Sequence, residues 1–189
     1  MEIELLERQS SELRKDIVEV CYHSKAGHVG GSLSAIDILN VLYFNELRID
    51  PNNPKMENRD RFILSKGHIA EALYVTLAKR GFFAYSELDN FSGYNTKYIG
   101  HPNNKVAGVE MNTGALGHGL AIAAKKMGQD YRTYVLMGDG ELAEGSIWES
   151  AMAAGHYKLD NLCAIVDRNH LQISGCTETV MTLEDLKGK

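Results

Sequence analysis

The chain has 189 residues, which suits one compact core and leaves little room for two, since cores typically grow to ~100–200 residues before chains divide. Hydrophobic residues at 44% and charged residues at 24% exclude a disordered chain or a fibrous repeat. Twenty Lys plus Arg against 25 Asp plus Glu give a net charge of −5 with no dense basic run, which argues against nucleic acid or an anionic membrane as partner.

The N-terminal pattern of Leu6, Leu13, Ile17 and Val20 predicts an amphipathic helix from about Glu4 to Tyr22. A glycine-rich turn, Ala26 to Ser32, follows, and a second helix is expected to start at Ser34 as its N-cap. Arg61 to Leu64 read as a short strand, then SKGH as a turn, then IAEALYVTLAKR as a helix stopping at Gly81. Ser86 to Asp89 carry a helix-start signal, and Gly93 to Met111 read as a long irregular stretch, which in a compact domain is usually functional or mobile. Leu116 to Met127 are predicted helical, Thr133 to Met137 a buried strand, Ser146 to Tyr157 a helix and Leu162 to Val166 a second buried strand. Thr182 to Asp185 signal the start of another helix. Apolar strands alternating with helices define an α/β fold, a parallel sheet with helices on both faces.

Chemistry concentrates where these strands end. Gly138-Asp139-Gly140 follows one strand directly and Asp167-Arg168-Asn169 follows the next. A right-handed crossover brings both turns to the carboxyl edge of the sheet, where open α/β folds place their ligands. Asp139 offers a carboxylate, Asn169 an amide oxygen and Leu171 a backbone carbonyl. An all-oxygen set with one formal charge suits Mg²⁺ completed by phosphate oxygens and water, and does not suit Zn²⁺. Glycines at 138 and 140 let backbone N–H groups approach a diphosphate. By itself GDG is also compatible with a turn in some other nucleotide-binding or structural loop; the strand-GDG-helix-strand-Asn order is narrower.

The run from GDGELAEGSIWE to VDRN resembles the thiamine diphosphate motif of transketolases. Four more stretches resemble the family in the same order: SKAGHVGGSLSAIDIL from Ser24, RFILSKGHIAEALY from Arg61, GHPN from Gly100 and NTGALGHGLAIAAKKM from Asn112. The likeness covers nearly the whole chain and is greatest to the N-terminal subunit of a split transketolase. It implies a thiamine diphosphate-binding domain over residues 1–189, lacking a C-terminal part that the family carries.

The resemblance implies metal ligation by Asp139, Asn169 and the Leu171 carbonyl, and cofactor contacts from His68, Gly114, Ala115, Leu116, Asp139, Gly140 and Asn169. Ala115 stands where the family often has Pro, and His118 where Gln or Ser is usual. His28 and His101 correspond to histidines that face the sugar, and Glu144 to a carboxylate shared between active sites across a subunit interface. Asp167 and Arg168 are expected to shape the turn presenting Asn169, and Cys163 to pack inside its strand. The implied activity is thiamine diphosphate- and Mg²⁺-dependent transfer of a two-carbon ketol unit between sugar phosphates. A pyrimidine-binding C-terminal subunit would complete the site, as a heterotetramer. Alternatives are a deoxyxylulose phosphate synthase-like enzyme and a non-catalytic, partner-binding remnant. Three cysteines without a CxxC pair, no signal-type N-terminus and no stretch near the ~18 apolar residues of a membrane span point to a cytoplasmic location.

Overall fold

The computed structural model describes residues 2–119, 130–173 and 175–188. Three parallel strands form the sheet: β1 (Arg61–Leu64), β2 (Thr133–Gly138) and β3 (Leu162–Asp167), in the order β1-β2-β3. Alternate residues of the two apolar strands enter different cores, because side chains switch faces at every residue. Phe62, Leu64, Tyr134 and Leu136 join the helical layer of α1 (Ile3–Ser24), α2 (Val29–Val41) and α3 (Ala70–Arg80). Ile63, Val135 and Met137 point the other way, onto Leu142, Ile147 at the start of α4 (Gly145–His156), and Leu183. Each face of β2 is thus covered, as the continuous apolar run TYVLM requires. Leu136 is fully buried, and truncating such a side chain to Ala costs about 2–5 kcal/mol.

The structure corrects several expectations. α2 begins at Val29, not Ser34, so Gly30 and Gly31 lie inside the helix. A Cβ at Gly31 would sit 3.0 Å from Ile69 Cγ2, so the glycine allows α2 to lie close to the turn before α3. Ser34 is freed from capping and its hydroxyl donates to Asp167. The segment from Ser86 forms no α-helix but part of a 3₁₀ turn, Tyr85–Asn90, whose N-cap is Ala84 without a side-chain bond. No helix opens at Thr182; only a short 3₁₀ turn, Leu186–Gly188, follows. β3 is not a buried strand. It pairs only with β2 among the described residues, leaving Cys163 and Ala164 exposed. The expected helix from Leu116 to Met127 lies largely outside the described residues.

The irregular stretch after Gly93 is held by buried aromatics. Tyr98 is 3% exposed and stacks edge-on against Tyr74 at 5.5 Å, while the Tyr74 hydroxyl donates to the His101 carbonyl at 2.8 Å. A loop without regular hydrogen bonding is thereby fixed where it presents His101.

Candidate functional site

The β2–β3 register pairs Gly138 with Asp167, and the Asp139 amide donates to the Asp167 carbonyl at 3.2 Å, so the two turns leave the sheet side by side. A cavity of about 420 Å³ opens at this carboxyl edge. The sheet edge contributes Gly138, Asp139, Gly140, Glu141 and Asn169 to its walls, and His28, His68 and His101 contribute a second group. Gly114, Leu116 and Leu171 also line it, whereas Ala115 is exposed and outside the lining.

Asp139 is 1% exposed and organises the turn. Its Oδ1 accepts the Gly140 amide at 2.9 Å; its Oδ2 accepts the His170 amide at 2.7 Å and Arg168 Nη1 at 3.1 Å. Asn169 Oδ1 accepts the Leu171 amide at 3.0 Å, which fixes the side chain at the cavity rim. A short hairpin, β4 (Leu171–Gln172) with β5 (Gly175–Cys176), folds over Gly140 so closely that a Cβ there would lie 2.8 Å from Gln172 Cβ. Arg168 does more than shape the turn. Its guanidinium ties Asp139 to Thr177, Glu178 and Glu184, joining the turn to the C-terminal segment.

His28, His68 and His101 come together at this cavity. The rings of His28 and His68 stand 5.3 Å apart, edge to face. Burial, then the Lys66 cation and the neighbouring imidazoles of His28 and His101, push His68 down to about 4, so it is neutral at pH 7. Gly114 (φ +140°) passes directly over His101, where a Cβ would meet His101 Cδ2 at 2.7 Å. Only glycine takes that conformation without strain.

Three functional side chains escaped the sequence reading. Lys66 is 1% exposed, lines the cavity and pairs with Asp167 at 2.7 Å, while the Ser34 hydroxyl bonds the same carboxylate. Asp167 is therefore a buried ion-pair partner in addition to a turn residue. A lysine two residues after an apolar strand was the available signal, but its counter-ion is 101 residues away. Glu71 accepts the His28 amide at 2.6 Å and the Ser32 hydroxyl at 2.7 Å, capping α2 from another helix. Glu141, buried beneath the GDG turn, bonds segments from both sides of it. By contrast, the exposed Glu144 and His118 do not line the cavity, and the His118 ring bonds the Leu116 carbonyl at 3.0 Å.

A parallel sheet whose carboxyl edge joins an acidic GDG turn, an asparagine turn and a glycine loop is the architecture of a thiamine diphosphate-binding domain. The chain belongs to that family: the transketolase thiamine diphosphate-binding domain matches residues 7–189. It is 54% identical to one of the subunits of the apulose-4-phosphate transketolase of Phocaeicola vulgatus, over all of this chain and 69% of that one. It is 41% identical to the 6-deoxy-6-sulfo-D-fructose transketolase subunit SqwG of a Clostridium species, over 97% of this chain and 70% of that one. Among solved structures, transketolase from Campylobacter jejuni superposes with a TM-score of 0.91 at 35% identity, covering 100% of this chain and 32% of that one.

Proposed function

We propose that this chain is the diphosphate-binding half of a two-chain transketolase that moves a two-carbon ketol unit from a ketose phosphate to an aldose phosphate. The observation that carries the reading is the cavity itself, which the Asp139–Asn169 edge and His28, His68 and His101 line together.

The residues present fit thiamine diphosphate and Mg²⁺. Asp139 Oδ1 accepts a single hydrogen bond among the described residues, which leaves a lone pair for a cation beside the Asn169 amide oxygen. A cation held by so few protein oxygens would take its further ligands from phosphate and water, as Mg²⁺ prefers. Asp139, Asn169 and the Leu171 carbonyl would hold the metal, and Gly140 with the Gly114 loop would admit the diphosphate and ring closely. When bound, thiamine diphosphate supplies the carbanion-stabilising centre. The chain's own part is to bind, to orient and to move protons. Neutral His68 serves as a hydrogen-bond partner without adding charge, and His28 and His101 exchange protons with sugar hydroxyls. Glu144, exposed at the start of α4, is suited to meet a second subunit.

The names of the two split relatives, each one subunit of a larger enzyme, support a partner subunit, for which a pyrimidine-binding chain, a heterotetrameric assembly and a cytoplasmic location are part of the proposal; apulose 4-phosphate is the donor to try first. The test mixes the purified chain with such a partner, thiamine diphosphate and Mg²⁺, and follows ketol transfer. Activity is expected only in the mixture; turnover by the chain alone would overturn the two-chain reading.

A further inference from the structure

The cavity walls are carried by three segments distant in sequence, two of which leave neighbouring strands of the sheet. Ser65 leads from β1 into the turn bearing Lys66, Gly67 and His68; Gly138 ends β2 and precedes Asp139; Gly117 closes the loop that carries Gly114 and Leu116. Each segment turns one donor toward the same point, and Glu141 is that point.

Glu141 is 2% exposed. Its Oε1 accepts the Gly117 amide at 2.7 Å and, in a short contact, the Ser65 hydroxyl; its Oε2 accepts the Gly138 amide at 3.1 Å. No Lys or Arg forms an ion pair with it among the described residues. A buried carboxylate without a cation is costly, so its burial calls for a reason that a neutral side chain could not meet. The reason is geometric. A carboxylate is acceptor-only on both oxygens, whereas an amide would turn an NH₂ group toward one of these N–H or O–H donors. The junction is also tightly filled: a Cβ at Gly119 would lie 2.6 Å from Ser65 Cβ, one at Gly67 2.8 Å from the Gly114 amide, and one at Gly117 (φ +83°) 2.5 Å from Ser146 Oγ. The segments cannot close further to compensate for a lost acceptor.

We infer that Glu141 is a positioning residue, whose two oxygens set the spacing of the three backbone segments that grip the cofactor. The inference rests on the thiamine diphosphate reading of the cavity, but the hydrogen-bonded junction can be examined without cofactor.

The decisive variant is Glu141→Gln, nearly identical in shape. Amide hydrogen exchange of the full chain without cofactor is expected to speed up about tenfold or more at Gly138 or at Gly117, whichever faces the new NH₂ group, with α1 and α3 unchanged, as expected for an orphaned buried donor. In the assembled two-chain enzyme, Mg²⁺-dependent thiamine diphosphate affinity should fall about tenfold or more, while kcat at saturating cofactor stays within about threefold of wild type. Merely structural damage would instead raise exchange throughout and lower kcat at every cofactor concentration. Unchanged exchange at both glycines, or unchanged affinity in a wild-type background that binds, overturns the inference. If the wild-type assembly itself fails to bind thiamine diphosphate, the functional reading falls and with it the gripping role, whereas the exchange result still judges the junction. Should Glu141→Gln not fold, Ser65→Ala removes one donor and keeps the carboxylate; it should weaken affinity by a smaller factor, and no weakening overturns the inference.

Discussion

The two walls of the cavity are each braced by one buried glutamate, and the braces work differently. At the sheet edge, Glu141 uses both oxygens to collect donors from three segments. Behind the histidines, Glu71 uses only Oε1, for the His28 amide and the Ser32 hydroxyl, and its buried Oε2 has no hydrogen-bond partner among the described residues. Glu71 draws support from the N-terminus of α2, where His28 supplies no side-chain cap of its own. Burial of the Cys21 thiol, and then the nearby Glu71 charge, push that thiol up to about 11. The same residue type is thus an acceptor-only hub on one wall and a one-sided cap on the other, so equal substitutions should have unequal effects.

The largest expected effect falls on the sheet-edge wall. Asp139→Ala removes the acceptor for the Gly140 and His170 amides and for Arg168 together with the proposed metal ligand. Calorimetry of the assembled enzyme should show Mg²⁺-dependent thiamine diphosphate binding abolished; unaltered binding would remove the central claim. Next comes the paired amide experiment. Glu141→Gln should weaken cofactor affinity as argued above, whereas Glu71→Gln keeps the oxygen that accepts both bonds and should cost less than about 1 kcal/mol of stability. Glu71→Ala orphans two donors and should cost roughly 2–4 kcal/mol by denaturant unfolding, with turnover reduced more than cofactor affinity. Equal losses for the two Gln variants would erase the distinction between the walls.

A smaller effect tests the histidine wall by pH. The folded His68 imidazole stays neutral down to about 4, while the unfolded one takes up a proton below its ordinary 6.5. The unfolded state then binds more protons, so stability should fall as pH drops from about 6.5 to about 4. Unfolding titrations of His68→Asn should show a shallower slope across that window; an identical slope would mean that His68 is not the group responsible. The smallest test needs no variant. In the isolated chain Cys163 and Cys176 are exposed while Cys21 is buried with a raised pKa, so alkylation at pH 7 should modify the first two quickly and Cys21 slowly. Rapid loss of the Cys21 thiol would show that the α1 side of the histidine wall opens readily.

The site was legible where a motif follows its own strand. Asp139 and Asn169 could be placed at one edge because GDG and DRN directly succeed apolar runs, and the register of β2 with β3 brings them together. His28, His68 and His101 were legible as glycine-preceded histidines at element ends, and they do line one cavity. The α2 start differs from the expected one because two glycines in succession normally break a helix; the proximity of Ile69 explains Gly31, and nothing in the structure explains Gly30. β3 was expected to be buried because its residues are apolar, yet burial depends on which neighbours flank a strand, and pattern alone carries no information on that.

Local chemistry, then, was determined by the sequence itself: strand ends, glycine turns, the candidate oxygen ligands and the run of family motifs all depend on residues close together in the chain. Pairings across distance were decided by the tertiary structure alone. Lys66 with Asp167, Glu71 with His28, and Glu141 with Ser65 and Gly117 each join elements separated by between 24 and 101 residues. A buried charge is tolerated only when the fold delivers its partners, and that delivery is a property of packing rather than of any stretch of sequence.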